Sequence, residues 1–200
     1  FSPGNEIWGG HEKVEKYMLE LKAYDNRPLY TMGSNNNIGY AAPKEYSDFF
    51  VGARVPDQGD TNLAHTRLTH AFADAENGGI LNTQTPSTDI NFDFPVSTLK
   101  IPIISHEIGQ YQIFPNYNEI KKYTGVLRAW NLEVYKNRLQ QAGMAKMDSA
   151  FHKASGAWSA LCYKAEMETA LRTRGFAGYQ LLDLQDFPGQ GTALVGILDA

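Results

Sequence analysis

The stretch Ile101-Pro102-Ile103-Ile104-Ser105-His106-Glu107-Ile108-Gly109 decides how the fold is read. Ile101 to Ile104 is a brief apolar run without polar alternation, and it gives way to small and polar residues, as a strand buried on both faces does where it leaves a sheet. The same form recurs at Arg27 to Met32, at Asp48 to Gly52 and at Gly178 to Leu184. Helical periodicity lies between and around these runs. A helix is expected from Gly10 to Asp25, with Val14, Tyr17, Met18 and Leu21 on one face, another from Ala129 to Ala142, and one or two from Asp148 to Arg174. Continuous apolar strands separated by helices predict an α/β fold with a parallel sheet covered on both faces. The span Asp57 to Pro95 differs: it is long and polar, with turn signals at Asn77-Gly78-Gly79 and Thr85-Pro86, and reads as an extended loop. In a barrel of alternating strands and helices, such a loop lies over the active site.

Composition narrows the function. The 200 residues suit one domain, without repeat, low-complexity tract or linker. Eighteen Lys and Arg against 22 Asp and Glu give a net charge of −4, unsuited to holding a polyanion, so nucleic acid is excluded as the expected partner. No apolar run approaches the roughly 18 residues that span a bilayer, so no membrane partner is expected. The single cysteine, Cys162, forbids an internal disulfide and a cysteine-built zinc site. His65, Arg67 and His70 lack a carboxylate or Cys at ligand spacing, so no metal site is expected there. Three Trp, eleven Tyr and ten Phe, with Asn and Gly abundant between helices, suit a surface that handles sugars and suit core packing equally well.

Two constellations carry chemistry. Gly4-Asn5-Glu6 precedes the first helix, and Ser105-His106-Glu107 follows the apolar run at Ile101. Each sets a carboxylate where a strand gives way to a loop. Carboxylates delivered from the same ends of two parallel strands can converge on one bond, one as proton donor and the other as nucleophile or base, which is the chemistry of glycoside cleavage. A lone Glu at a strand end is more often a solvated or capping residue, so the pair carries the argument. Around them, Trp8 is placed to stack on a sugar or to pack the first helix. Asn35 follows the second strand, where it can reach substrate or simply build a turn. His106 can orient Glu107 or bind a hydroxyl, and Gln185 and Asp186 follow the last strand and can contact sugar hydroxyls.

Asn-Glu on one strand and a second Glu ending a later one resembles the clan of retaining glycosidases on (β/α)₈ barrels. FSPGNEIWGG is similar to the strand-four signature of glycoside hydrolase family 2, which includes β-galactosidases, β-glucuronidases and β-mannosidases. PIISHEIGQYQIFPNYNEIKKYTGVLRAWNLEVY resembles the nucleophile region of a polysaccharide-degrading bacterial branch, and FAGYQLLDLQDFPGQGTALVGILDA its strand-eight region. The resemblance implies a TIM barrel of which only strands four to eight are present, residues 1–200 forming the C-terminal part of a glycosidase catalytic domain with 57–95 as a long active-site loop. It implies Glu6 as acid/base, Glu107 as nucleophile and Asn5 as ligand to the sugar 2-hydroxyl. The implied function is a retaining exo-acting β-glycosidase, a hydrolase that needs no cofactor and takes a carbohydrate as partner. An endo-acting enzyme of the same clan and a noncatalytic carbohydrate-binding remnant are the alternatives.

The chain departs from that family in three respects. A full barrel takes about 250 residues, so the missing half of the barrel and the β-sandwich domains are expected in a parent chain. Alone, the piece is expected to be inert unless a second copy or companion segment closes the sheet. Clan members carry a Tyr near the end of strand six, where this sequence reads Phe49-Phe50-Val51-Gly52-Ala53-Arg54, and a Trp ending strand eight, where it has Leu182, Leu184 and Gln185. Both changes imply an altered pocket floor. Location depends on a leader upstream; the resemblance alone favours the periplasm or the exterior.

Overall fold

The computed structural model describes residues 1–34, 44–56, 63–65, 85, 87–191 and 193–200. The chain divides into two compact units, Phe1–Ile108 with Ala165–Leu181, and Gly109–Lys164 with Leu182–Ala200. The elements in chain order are α1 (His11–Tyr24), β1 (Phe50–Gly52), β2 (Arg54–Pro56), β3 (Leu63–His65), the one-turn α2 (Asp93–Val96), β4 (Ile103–Gly109), α3 (Trp130–Gln141), α4 (Asp148–Arg172) and β5 (Phe176–Leu182), with short 3-10 turns among them.

The first unit holds a three-stranded sheet in the order β1-β4-β5. β1 and β4 run parallel, Phe50 facing Ile103, Val51 facing Ile104 and Gly52 facing Ser105. Beyond β1 the alignment continues only as single parallel bridges, Val51 to Ser34 and Ser34 to Asn5. The expectation of a (β/α)₈ TIM barrel, present as its strands four to eight, is therefore corrected: the chain is α/β, but its regular sheet is three parallel strands and open. The strand expected at 27–32 is absent because its backbone pairs with residues far along the chain. The Phe1 ammonium donates to Leu29 O, Thr31 N–H donates to Phe1 O, and Tyr30 N–H donates to the Asp48 carboxylate at 2.8 Å. Two short elements fall within the span expected as a long loop. Leu63–His65 pairs antiparallel with Arg54–Pro56, and α2 occupies 93–96; most of 57–95 lies outside the described residues.

The helices follow the periodicity closely, and α4 runs unbroken through Gly156. No helix among the described residues is long and apolar enough to cross a membrane. On α1, Met18 is fully buried, with Val14 and Leu21 packed beside it against Tyr30, Met32, Phe50, Phe92, Val96 and Ile103. Tyr17 remains half exposed, on the edge of that stripe. Asp48 ties this core together. Its carboxylate takes Lys22 Nζ at 2.7 Å as well as the Tyr30 amide, and its own N–H donates to Tyr30 O at 2.7 Å.

The second unit packs Tyr117, Ala129 and Leu132 with Phe114, Ile120, Tyr123, Leu139 and Leu194. The first half of α4 fastens the segment that follows β4: Ser155 Oγ accepts from Phe114 N–H at 2.8 Å, and the His152 ring bonds Phe114 O at 2.6 Å. Gly109, where β4 ends, has φ +105°, and an added Cβ would lie 2.2 Å from the Tyr163 ring. That ring is buried and held by its hydroxyl, which donates to Leu182 O at 2.9 Å.

Two outcomes follow. Gly109→Ala forces both a left-handed backbone and a clash with an anchored ring, and is expected to cost about 2–4 kcal/mol in urea unfolding. The Lys22 ammonium beside Asp48 holds its carboxyl below the usual range, so its contribution is complete above about pH 4 and fades as the pH falls through the lowered value. Asp48→Asn should therefore cost about 1–2 kcal/mol at pH 7, and the gap to wild type should close in acid.

Candidate functional site

The candidate site lies in the first unit, at the ends of its parallel segments. Glu6 N–H donates to Ser34 O at 2.8 Å and Ser34 N–H to Gly4 O at 3.0 Å, which fixes the backbone on either side of Asn5. Two strands along, β4 delivers His106, buried to 7 % exposure, and Glu107, whose side chain is 20 % exposed.

His106 is the hub. Its Nε2 stands 2.8 Å from Asn5 Oδ1 and 3.3 Å from Glu107 Oε1, while its Nδ1 stands 2.7 Å from Gln180 Oε1 on β5. In the strand order, the Ser34 segment and β1 intervene between Asn5 and β4. Three strand spacings amount to about 14 Å in a flat sheet, more than Asn and His side chains can bridge. The direct hydrogen bond therefore requires the sheet to curl, with Asn5, His106 and Gln180 on its concave face.

The backbone marks the same place. Glu6 has φ 47° and Glu107 has φ 52°; among the described residues, the one other non-glycine residue with positive φ is Gln110 at 59°. Left-handed conformations cost a non-glycine residue of order 1–3 kcal/mol and persist where the surroundings impose them, commonly at functional sites.

The structure thus brings together Asn5, His106 and Glu107, with Glu6 next in chain to Asn5. It does not gather every residue expected from sequence. Trp8 is 78 % exposed. Asn35 lies outside the described residues. Gln185 and Asp186 belong to the second unit: Gln185 is exposed, and Asp186, with Glu119, Lys122 and Tyr123, lines a cavity of about 470 Å³ while its Oδ1 accepts from Gly196 N–H at 2.9 Å. Gln180 is the residue that sequence reasoning missed. Its signal was a lone amide two positions before Leu182 in an otherwise apolar strand, on the face that period-2 alternation shares with Leu182.

Among the described residues, no three of His, Cys, Asp and Glu are grouped to hold a metal ion. No family model matches this chain, and no curated protein matches it.

One further carboxyl is unusual. Asp183, just past β5, is half-buried, and its Oδ1 has no hydrogen-bond partner among the described residues. Burial, then the charge of nearby Asp186, pushes it up to about 6. A raised acid pKa means that the folded state binds the proton more tightly than the unfolded chain. Stability should accordingly fall as the pH rises from about 4 to about 6 and level off above. Asp183→Asn is expected to remove that part of the slope in a pH series of thermal unfolding and to raise stability at pH 7.

Proposed function

We propose that this chain supplies the two carboxyl groups of a retaining β-glycosidase, exo-acting and of the β-galactosidase or β-glucuronidase kind, that hydrolyses oligo- or polysaccharides. The observation that carries the reading is the convergence on one ring nitrogen. Asn5, the neighbour of Glu6, and Glu107 both lie within reach of His106 Nε2 although 102 positions of the chain separate them. The left-handed backbone at both glutamates and the sequence resemblance point the same way.

The chemistry is a double displacement. The Glu107 carboxylate attacks the anomeric carbon and the glycosidic C–O bond breaks, while Glu6 gives its proton to the leaving oxygen. Water then attacks the anomeric carbon of the ester, Glu6 takes a proton from it, and Glu107 leaves as carboxylate. Net retention follows from two inversions. For this sequence of steps the carboxyl groups need to stand about 5–5.5 Å apart when substrate is bound. Asn5 would hold the 2-hydroxyl beside the reacting carbon. The reading also expects the outer edge of β5, last in the strand order, to be covered by a further part of a parent chain or by a second copy.

Alkyl and aryl β-galactosides and β-glucuronides assayed on the intact protein provide the test. Glu6→Gln should lower kcat/KM by about 10²–10⁴-fold for an alkyl leaving group and far less for dinitrophenolate, which leaves unprotonated. Glu107→Gln should abolish turnover with either. Full activity in either variant removes that residue from its role, and sugar binding without turnover by wild type favours the noncatalytic alternative.

A further inference from the structure

We infer that His106 is a positioning residue which, with its proton on Nε2, holds the Asn5 amide with Oδ1 inward and NH2 outward, so that position 5 offers a ligand a hydrogen-bond donor. Gln180 anchors the opposite side of the ring. The inference rests on the proposed glycosidase reading only for the identity of the ligand atom, an oxygen of a sugar hydroxyl.

The argument is one of donors and acceptors. Three oxygens face the ring: Asn5 Oδ1 at 2.8 Å and Glu107 Oε1 at 3.3 Å from Nε2, and Gln180 Oε1 at 2.7 Å from Nδ1. An ionised carboxylate can only accept, so the Nε2 side calls for an N–H. With Nε2 protonated, Asn5 can present only its oxygen to the ring. Its amide nitrogen has no partner among the described residues, and the side chain is exposed. Nδ1 is served either way, because Gln180 can accept from a protonated Nδ1 through Oε1 or, turned over about χ3, donate to a bare one through Nε2. An amide partner therefore leaves the Nε2 proton in place whatever Nδ1 carries. A carboxylate at 180 differs, because it can only accept and calls for a proton on Nδ1 as well.

The consequence is chemical selectivity. Asn5 Nδ2 donates and Glu107 accepts, side by side on the concave face. Such a pair takes a hydroxyl whose oxygen accepts from Asn5 while its own O–H donates to the Glu107 carboxylate, a donation that strengthens for a sugar 2-hydroxyl as the anomeric carbon beside it gains positive charge. Were the Asn5 amide reversed, its carbonyl would face the hydroxyl and the hydroxyl would have to donate.

Long-range ¹H–¹⁵N spectra of [¹⁵N]histidine-labelled protein test this directly, with His106 assigned by its absence in His106→Gln. Wild type and Gln180→Leu should both show a protonated, pyrrole-type Nε2. Gln180→Glu should keep that proton and place a second one on Nδ1. In the aryl glycoside assay, Gln180→Leu should lower kcat by about 10- to 100-fold, the loss of one well-placed hydrogen bond, with KM nearly unchanged. A wild-type spectrum with the proton on Nδ1 alone overturns the inference whatever the protein catalyses, as does a Gln180→Leu spectrum in which the proton has moved to Nδ1. Absence of glycoside turnover with Nε2 protonated would instead count against the glycosidase reading and leave the placement of the Asn5 amide supported.

Discussion

A single hydrogen bond, His106 Nε2 to Asn5 Oδ1 at 2.8 Å, sets the geometry on which the candidate site depends. It joins two backbone segments that have two others between them, and it can form only if the sheet curls. Everything of chemical interest in the first unit follows from that curl. Glu107 comes within reach of the same ring, Gln180 closes it from the other side, and Glu6 stands beside Asn5. His106 is the buried member of this cluster, and both of its ring nitrogens have partners, as a buried polar group requires. The Asp48 carboxylate, bound to Lys22 and to Tyr30 N–H, does comparable work at the base of the same unit.

Much of the secondary structure was legible because it is written in short-range chemistry. The periodicity of Val14, Met18 and Leu21 defined α1, and the apolar runs ending in small or polar residues located β1, β4 and β5 within a few positions. The run at Arg27 to Met32 was misread for a physical reason. Its composition is that of a strand, but its amides and carbonyls bond to Phe1 and Asp48, and no local signal in 27–32 announces partners that distant. The barrel was overdrawn in the same way. Period and composition show that parallel strands exist, whereas the number that pair and whether the sheet closes are decided by long-range contacts.

The site was legible in part. Asn5, Glu6, His106 and Glu107 stood out as residue types at strand ends, and the structure gathers Asn5, His106 and Glu107 around one imidazole. Gln180 did not stand out, because a single amide in an apolar strand has no meaning until the strand beside it is known. The left-handed backbone at Glu6 and Glu107 was equally invisible, since neither Glu-Ile step carries a turn residue. Gln185 and Asp186 were expected to join the same site from their position after β5. They fall in the second unit, where Asp186 lines a separate cavity with Glu119 and Lys122.

What joins these observations is the proposal that the carboxyl groups of Glu6 and Glu107 act on opposite sides of one anomeric carbon. Trapping the covalent intermediate interrogates it most directly. The intact protein would be treated with a panel of 2-deoxy-2-fluoro β-glycosides bearing good leaving groups, then digested and mapped by mass spectrometry. The expected result is a glycosyl ester on Glu107 that forms in wild type and is lost in Glu107→Gln. An ester on any other residue, or none across the panel, would contradict it.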